Sequence, residues 1–321
     1  MKSNIELKKI AEATIHEESE AITSLADRID DNFVECVNLI LQSKGRVIIT
    51  GIGKSAIIGS KIVATFNSTG TPSIFLHAAD AIHGDLGIIQ KEDLIICISK
   101  SGETPEIKVL VPLLKLQGSS LIAIVGNTKS YLARQADIIL DTTVEKEASP
   151  NNLAPTSSTT AQMVMGDALA VCLMEARGFT THDFARFHPG GALGKKMYLK
   201  VSDLYKNNQA PQVQINDDIR KVIVEISSKR LGATAVLDKD ELKGIITDGD
   251  LRRMLEKNQN VGELVAGNIM SINPKIIDSD TLAVKALEMM RKNNITQLLV
   301  TDKGKYSGVI HLHDILREGI I

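Results

Sequence analysis

Five short apolar runs mark the first half of this chain: residues 46–50, 73–76, 94–98, 121–125 and 138–141. Each has the length of a buried strand, and stretches with helical spacing lie between them. Strands alternating with helices dictate βαβ units, a parallel sheet and right-handed crossovers. Ligands of such a sheet sit outside the C-terminal ends of its strands. The loops at those ends are therefore where function belongs.

The most telling loop is Cys97-Ile-Ser-Lys-Ser-Gly-Glu-Thr-Pro-Glu106. The apolar run stops at Ser99, and a helical pattern begins near Thr104. Three hydroxyls (Ser99, Ser101, Thr104), Gly102 and exposed backbone amides gather at a strand end and a helix N-terminus. Donors aimed at one point, with the helix dipole behind them, form a phosphate cradle. Thr104 suits an N-cap and Pro105 the first helical position. An ordinary capped turn is the plain alternative. After the first strand comes Gly51-Ile-Gly-Lys-Ser55. It is not a P-loop, because Ile48 stands where the first glycine is needed. It is not a dinucleotide fingerprint, because His77 stands where an acid should close the second strand. What remains is a Gly-rich loop carrying one cation, Lys54.

Elsewhere the chain is less specific. The spacing predicts two helices over residues 5–41, broken at Asp30-Asp31, that cover a sheet or build an oligomer interface. Residues 145–156 read as a loop and 157–177 as a long helix closed by Gly178. Pro-Gly-Gly at 189–191 places His188 at a turn. After Met197 a repeat appears. Gln212-Val-Gln-Ile-Asn-Asp-Asp-Ile219 pairs with Lys275-Ile-Ile-Asp-Ser-Asp-Thr-Leu282, and Gly244-Ile-Ile-Thr-Asp-Gly-Asp-Leu251 with Gly308-Val-Ile-His-Leu-His-Asp-Ile315. Each copy reads strand, helix, strand, strand, helix, and two such copies pack together because neither buries its apolar face alone.

Composition narrows the classes. Aromatic residues make up 3% and Trp is absent, which leaves no stacking platform for single-stranded nucleic acid. The net charge is −2 and no basic block occurs, so no nucleic-acid partner is expected. Three dispersed cysteines, Cys36, Cys97 and Cys172, point to a reducing compartment. The first ten residues lack the apolar core of a signal peptide, and no apolar run nears 18 residues. The expectation is a cytoplasmic protein without a membrane partner. His77 and His83, six apart, do not share a helical face and read as two partly exposed histidines. Glu103, Glu106, Glu145 and Glu147 all lie near strand ends, and spacing does not choose among them.

Taken together, the ordered motifs resemble a sugar isomerase (SIS) domain. They are Gly51-Ile-Gly-Lys-Ser55, Ser99-Lys-Ser-Gly-Glu-Thr104, Ala154-Pro-Thr-Ser-Ser158 and His188-Pro-Gly-Gly-Ala-Leu-Gly194. His83-Gly-Asp-Leu-Gly87 and Val144-Glu-Lys-Glu-Ala148 sharpen the match to the arabinose-5-phosphate isomerase family. The C-terminal repeat is similar to a pair of cystathionine-β-synthase-type (CBS) domains, which that family carries. The resemblance implies an α/β fold: N-terminal helices over 1–45, a doubly wound parallel SIS sheet over 46–196, and an α+β CBS pair at 197–259 and 260–321. It implies aldose–ketose isomerisation of D-ribulose 5-phosphate and D-arabinose 5-phosphate, with no required cofactor. Lys54, Glu106, Glu147 and His188 fall where the family has catalytic residues. Gly53, Ser55, Gly70, Thr71, Ser99, Ser101, Gly102, Thr104 and Thr143 fall at substrate-binding positions, as do His77 and His83. His77 also matches a non-catalytic divalent metal (zinc) position, although the loop reads H-A-A-D-A-I-H where the family more often has H-P-A-E-A-x-H.

The resemblance further implies a homotetramer, with the N-terminal helices and the 157–177 helix in contacts. CBS pairs often hold an adenine nucleotide through a Thr-x-x-Asp element. Thr247 and Asp250 supply one in the first copy, while His311 replaces the hydroxyl in the second. A purely structural pair is the alternative. Two rival functions are a sugar-phosphate sensor and a hexulose-phosphate isomerase. Sensors usually carry a basic recognition helix, which the first 40 residues lack, and hexulose-phosphate isomerases are usually short chains without the C-terminal pair.

Overall fold

The computed structural model describes residues 2–257 and 261–320. The chain divides into two compact units between Phe187 and His188. The boundary expected between the two repeats, at 259/260, lies outside the described residues.

The first unit opens with helices α1 (Asn4–Leu25) and α2 (Asp31–Gln42). Ser3 and Glu6 form a reciprocal capping box at the start of α1. The break at Asp30 is real, and its carboxylate caps α2 by accepting from the amides of Asn32 and Phe33 at 3.0 and 3.3 Å. Strand β1 (Val47–Gly51) leads into α3 (Lys54–Ser68), and β2 (Ser73–His77) into the short α4 (Ala78–Ala81). Then follow β3 (Leu94–Ser99), α5 (Pro105–Leu116), β4 (Leu121–Val125), α6 (Tyr131–Gln135) and β5 (Ile138–Asp141). The long α7 (Ser157–Arg177) ends at Gly178, which is left-handed at φ 62, and α8 (Thr181–Phe187) closes the unit.

The five strands form one parallel sheet in the order β2-β1-β3-β4-β5. Successive side chains of a strand enter opposite cores, which is why each strand is apolar along its length. In β3, Leu94, Ile96 and Ile98 face the core shared with α2 and α7, while Ile95 and Cys97 face the core shared with α5. The cysteines are free, and burial pushes the Cys36 and Cys97 thiols up to about 12, leaving them unreactive. Strand order reverses at β1, with β2 added on one side and β3 on the other. The crevice beyond the ends of β1 and β3 is therefore the switch point of the sheet.

The second unit begins with α9 (Ala192–Tyr198) and α10 (Val201–Tyr205). Its first repeat comprises β6 (Gln212–Gln214), α11 (Ile219–Lys229), β7 (Ala233–Asp238), β8 (Glu241–Thr247) and α12 (Asp248–Lys257). After the short α13 (Ala266–Ile269) and β9 (Ser271–Ile272), the second comprises β10 (Ile276–Asp278), α14 (Ala283–Asn293), β11 (Gln297–Asp302), β12 (Lys305–His311) and α15 (Leu312–Arg317). Each copy pairs its first two strands in parallel and the next two antiparallel. The register breaks after Val236 in one and Val300 in the other, 64 residues apart (300 − 236). Leu231, Ala235, Leu299 and Val309 form a core common to both copies, and the Tyr306 hydroxyl donates across to the Pro211 carbonyl at 2.7 Å. No helix among the described residues is long and apolar enough to cross a membrane.

Candidate active site

Two loops are shaped by glycines that no other residue replaces. Gly53, at φ 60 and ψ −129, turns the chain from β1 into α3 and presents Lys54 at the helix start. Gly102 has φ +64, and a Cβ there would lie 2.1 Å from the Ser130 hydroxyl. Between them the sheet's switch point opens into a cavity of about 330 Å³. Lys54, Ser55, Ser99, Lys100, Ser101 and Thr104 line one side, and Pro155, Ser158, Thr159 and Gln162 another. The fold thus gathers five of the residues that the sequence marks as candidates.

The polar groups of the β3–α5 turn remain available. Ser99 Oγ accepts from the Gly102 amide at 3.0 Å and Ser101 Oγ from the Glu103 amide at 3.3 Å, so each hydroxyl hydrogen is left to donate. Thr104 holds the N-cap position and Pro105 follows at N1, as expected, yet the Thr104 hydroxyl makes no capping bond. Its Oγ1 is buried without a partner, and an unsatisfied buried hydroxyl calls for an explanation. A bound anion supplies one. Two ammonium groups, from Lys54 and Lys100, give the cavity the matching charge.

The four carboxylates separate once folded. Glu145 is exposed. Glu103 accepts from Lys108 and from the Tyr131 amide, at 2.7 and 2.6 Å; those contacts hold it below its ordinary range and tie the turn to α6. Glu106 stands half-buried in the first turn of α5. Glu147 is buried and fully engaged. Lys100 Nζ and the Ser158 hydroxyl both reach Oε1 at 2.5 Å. The amides of Thr156 and Ser158 donate to Oε2 at 2.8 and 3.1 Å. Burial would raise this carboxyl, but the bonds from Lys100, Ser158 and Thr156 outweigh it and bring it down to about 2. Its side chain has no exposure and does not line this cavity; Lys100 and Ser158, which do, both bond to its Oε1.

Other candidates lie elsewhere. His77 ends β2 opposite Gly51 at the same end of the sheet, and His83 is exposed beyond α4; neither lines the cavity. His77 Nδ1 is 3.7 Å from Asp80 and has no hydrogen bond. No group of three His, Cys, Asp or Glu able to hold a metal ion occurs among the described residues, so the zinc expected at His77 is not supported by a ligand set among them. The Thr143 hydroxyl is bonded to Asp141 and to the Gly126 carbonyl. Gly70 and Thr71 precede β2, at the opposite end of the strands from the cavity, where Arg177 donates to both. His188 sits at the expected turn, its carbonyl accepting from the Gly191 amide at 3.1 Å, and falls in the second unit.

In that second unit Asp250 is buried and spoken for. Its Oδ2 accepts from the Thr247 amide and hydroxyl at 2.8 and 2.7 Å, and its Oδ1 from Arg253 and Ser271 at 2.6 and 3.2 Å. Burial opposes ionisation of Asp250, yet the bonds from Thr247 and Arg253 keep it below its ordinary range. A cavity of about 190 Å³ adjoins it, lined also by Arg253 and Lys257. The second copy repeats the cap without the hydroxyl, Asp314 accepting from the His311 amide at 2.9 Å and from Asn208 at 2.6 Å.

Two site residues escape the sequence pattern. A lysine between two serines reads as a solvated charge, and only the fold shows that Lys100 meets Glu147. Gln162 gives no signal either; it is buried on α7 and accepts from the Ser55 hydroxyl at 3.2 Å.

Comparison with known proteins places this geometry in context. The SIS domain family matches residues 39–172, and the CBS domain family matches 201–257 and 265–320. An arabinose 5-phosphate isomerase of Pseudomonas aeruginosa is 46% identical over 324 residues, covering 100% of this chain and 99% of the relative. Its Escherichia coli K12 counterpart is 45% identical over 306 residues, covering 95% and 93%. A solved E. coli CFT073 chain in complex with arabinose 5-phosphate superposes with a TM-score of 0.57 at 40% identity, over 59% of this chain and all of that one.

Proposed function

The chain belongs to the arabinose 5-phosphate isomerase family, and on that premise we propose that it interconverts D-arabinose 5-phosphate and D-ribulose 5-phosphate through an enediol or enediolate. The observation that carries the reading is the cavity at the β1/β3 switch point. It offers unspent hydroxyls for a phosphate and two cations, with a buried carboxylate directly behind them.

The phosphate sits on Ser99, Ser101 and Thr104 at the start of α5, where the first-turn amides and the dipole favour an anion. Glu147 is the carbon base and takes the C2 proton of the open-chain aldose. The C–H electron pair becomes the C1–C2 double bond, and O1 gains the negative charge. Lys54, exposed at the cavity, steadies that charge. Return of the proton to C1, with transfer of the hydroxyl proton from O2 to O1, gives the ketose. His188 moves the proton between the oxygens, with the family pattern as its support. Glu106 orients Lys54 or a sugar hydroxyl.

The family pattern also supports a cytoplasmic homotetramer that supplies 3-deoxy-D-manno-octulosonate synthesis for lipopolysaccharide. In such an assembly, residues that do not line the cavity, such as Gly70, Thr71 and His188, serve a site shared between subunits. The apolar residues Ile5, Leu7 and Ile15 on α1, each more than half exposed, suit burial against another copy. For the second unit the two readings are an adenine nucleotide at Thr247 and Asp250 and a purely structural pair, and the hydrogen bonds that already occupy both side chains favour the structural one.

A coupled assay with ribulose 5-phosphate and fructose 6-phosphate tests the reaction. Turnover of the pentulose phosphate alone supports it. Turnover of the hexulose phosphate, or of neither sugar, overturns it.

A further inference from the structure

The Lys100–Glu147 contact raises a difficulty for catalysis that also suggests its solution. A carbon base works best with a pKa near the operating pH and must reach its proton. Glu147 meets neither condition as it stands. Its side chain is 0% exposed, while that of Lys100 is 43% exposed and lines the cavity in front of it. Lys100 sits between Ser99 and Ser101, in the same turn that offers hydroxyls to an anion. One ammonium thus lies within reach of two negative groups, a carboxylate behind it and a substrate phosphate in front.

We propose that Lys100 is a positioning residue that passes from Glu147 to the substrate phosphate on binding, so that docking of the phosphate uncovers the base. This inference rests on the isomerase reading for the role of Glu147. A phosphate dianion is a stronger partner for an ammonium than a carboxylate monoanion. Once Lys100 turns to it, Oε1 keeps only the Ser158 hydroxyl and faces the cavity. Loss of a cation from a buried carboxylate raises its proton affinity toward the useful range. The other charged groups around Glu147 leave this exchange to Lys100. Lys54 of α3 lines the cavity, and on the far side Glu17 of α1 is paired with Lys146 at 2.6 Å. The remaining contacts, Ser158, Thr156 and Asn152, are neutral.

The test uses the full-length protein and its Lys100→Met and Lys100→Arg variants. Binding of inorganic phosphate is measured by calorimetry, and kcat and KM for arabinose 5-phosphate are measured from pH 4 to 9. Lys100→Met is expected to weaken phosphate binding and raise KM by roughly tenfold, in line with the loss of one charge-assisted hydrogen bond. In the wild-type protein the acid limb of kcat lies at higher pH than that of kcat/KM, because the base is released only in the complex. In Lys100→Met the two limbs coincide. Lys100→Arg restores the separation at least in part. Unchanged phosphate affinity in a folded Lys100→Met protein overturns the proposal, as do coincident limbs in the wild type. A wild-type protein that binds phosphate through Lys100 yet turns over no pentose phosphate overturns the isomerase reading instead.

Discussion

Two strand-to-helix turns of this chain follow the same local grammar and end differently. Ser99 closes β3, and Ser101, Gly102 and Thr104 lead into α5; Thr247 closes β8, and Asp248-Gly-Asp250 opens α12. Both put hydroxyls and a carboxylate at a helix N-terminus, where an anion or a sugar hydroxyl is welcome. In the second, Thr247 gives its hydroxyl and amide to Asp250, and Arg253 and Ser271 fill the remaining carboxylate positions. In the first, Thr104 keeps an unpartnered hydroxyl and the serines keep their hydrogens. A motif marks a place where polar groups collect. Whether they form a site depends on how many are left unsatisfied.

The largest expected difference between the two turns is in catalysis. Glu147→Gln lowers kcat by about 10² to 10⁴, the usual worth of a general base, with KM changed only a few-fold. Asp250→Asn leaves kcat within about twofold. Steady-state kinetics on both variants reads this directly, and an Asp250→Asn protein that loses turnover breaks the contrast. If Glu147→Gln instead raises KM alone, the base assignment passes to Glu106.

A smaller effect is expected at the first turn itself. Thr104→Val removes one donor to a charged group, worth about 1.5–3 kcal/mol, and raises KM by roughly ten- to a hundredfold with kcat little changed. Because that hydroxyl caps nothing, thermal stability holds or rises. A marked drop in Tm would show that Thr104 is structural after all.

At the second turn the order reverses. Thr247→Ala removes an N-terminal capping contact and costs about 1 kcal/mol of stability in chemical denaturation, with turnover unaffected. Calorimetry with AMP or ATP at millimolar concentration shows no heat if the turn is purely structural, and binding lost in Thr247→Ala establishes a nucleotide site.

The least conspicuous effect concerns acid. The Glu147 carboxyl lies at about 2 in the fold against an ordinary value of 4.5. A depressed carboxylate adds stability that is fully present above 4.5 and is lost as pH falls toward 2. Glu147→Gln therefore unfolds with a shallower pH dependence over that window, followed by denaturant midpoints at several pH values. Equal slopes in both proteins contradict the depressed pKa.

The architecture was legible because the strands are apolar throughout and the turns are chemically specific. Leu94–Ser99 could only be buried on both faces, and Asp30 and Gly178 announced helix ends that the fold keeps. The repeat was legible from self-similarity, down to matching register breaks. The site was legible only where backbone dictates it: Gly53 and Gly102 need positive φ, and the hydroxyls between them follow. Long-range contacts leave no local trace. Nothing in the spacing of Lys100 and Glu147, 47 residues apart, announces that they meet. Nor could spacing separate four glutamates whose roles depend on Lys108, Tyr131 and Ser158.

The proposed mechanism stands on removal of the C2 proton of a pentose phosphate by Glu147. One proton NMR time course of D-arabinose 5-phosphate in D₂O tests it, run with the wild-type protein and with Glu147→Gln. With the wild type the C2–H signal is expected to decay as ribulose 5-phosphate appears, and with the variant to persist. A C2–H signal that survives the wild-type protein, or that decays equally fast with Glu147→Gln, contradicts it.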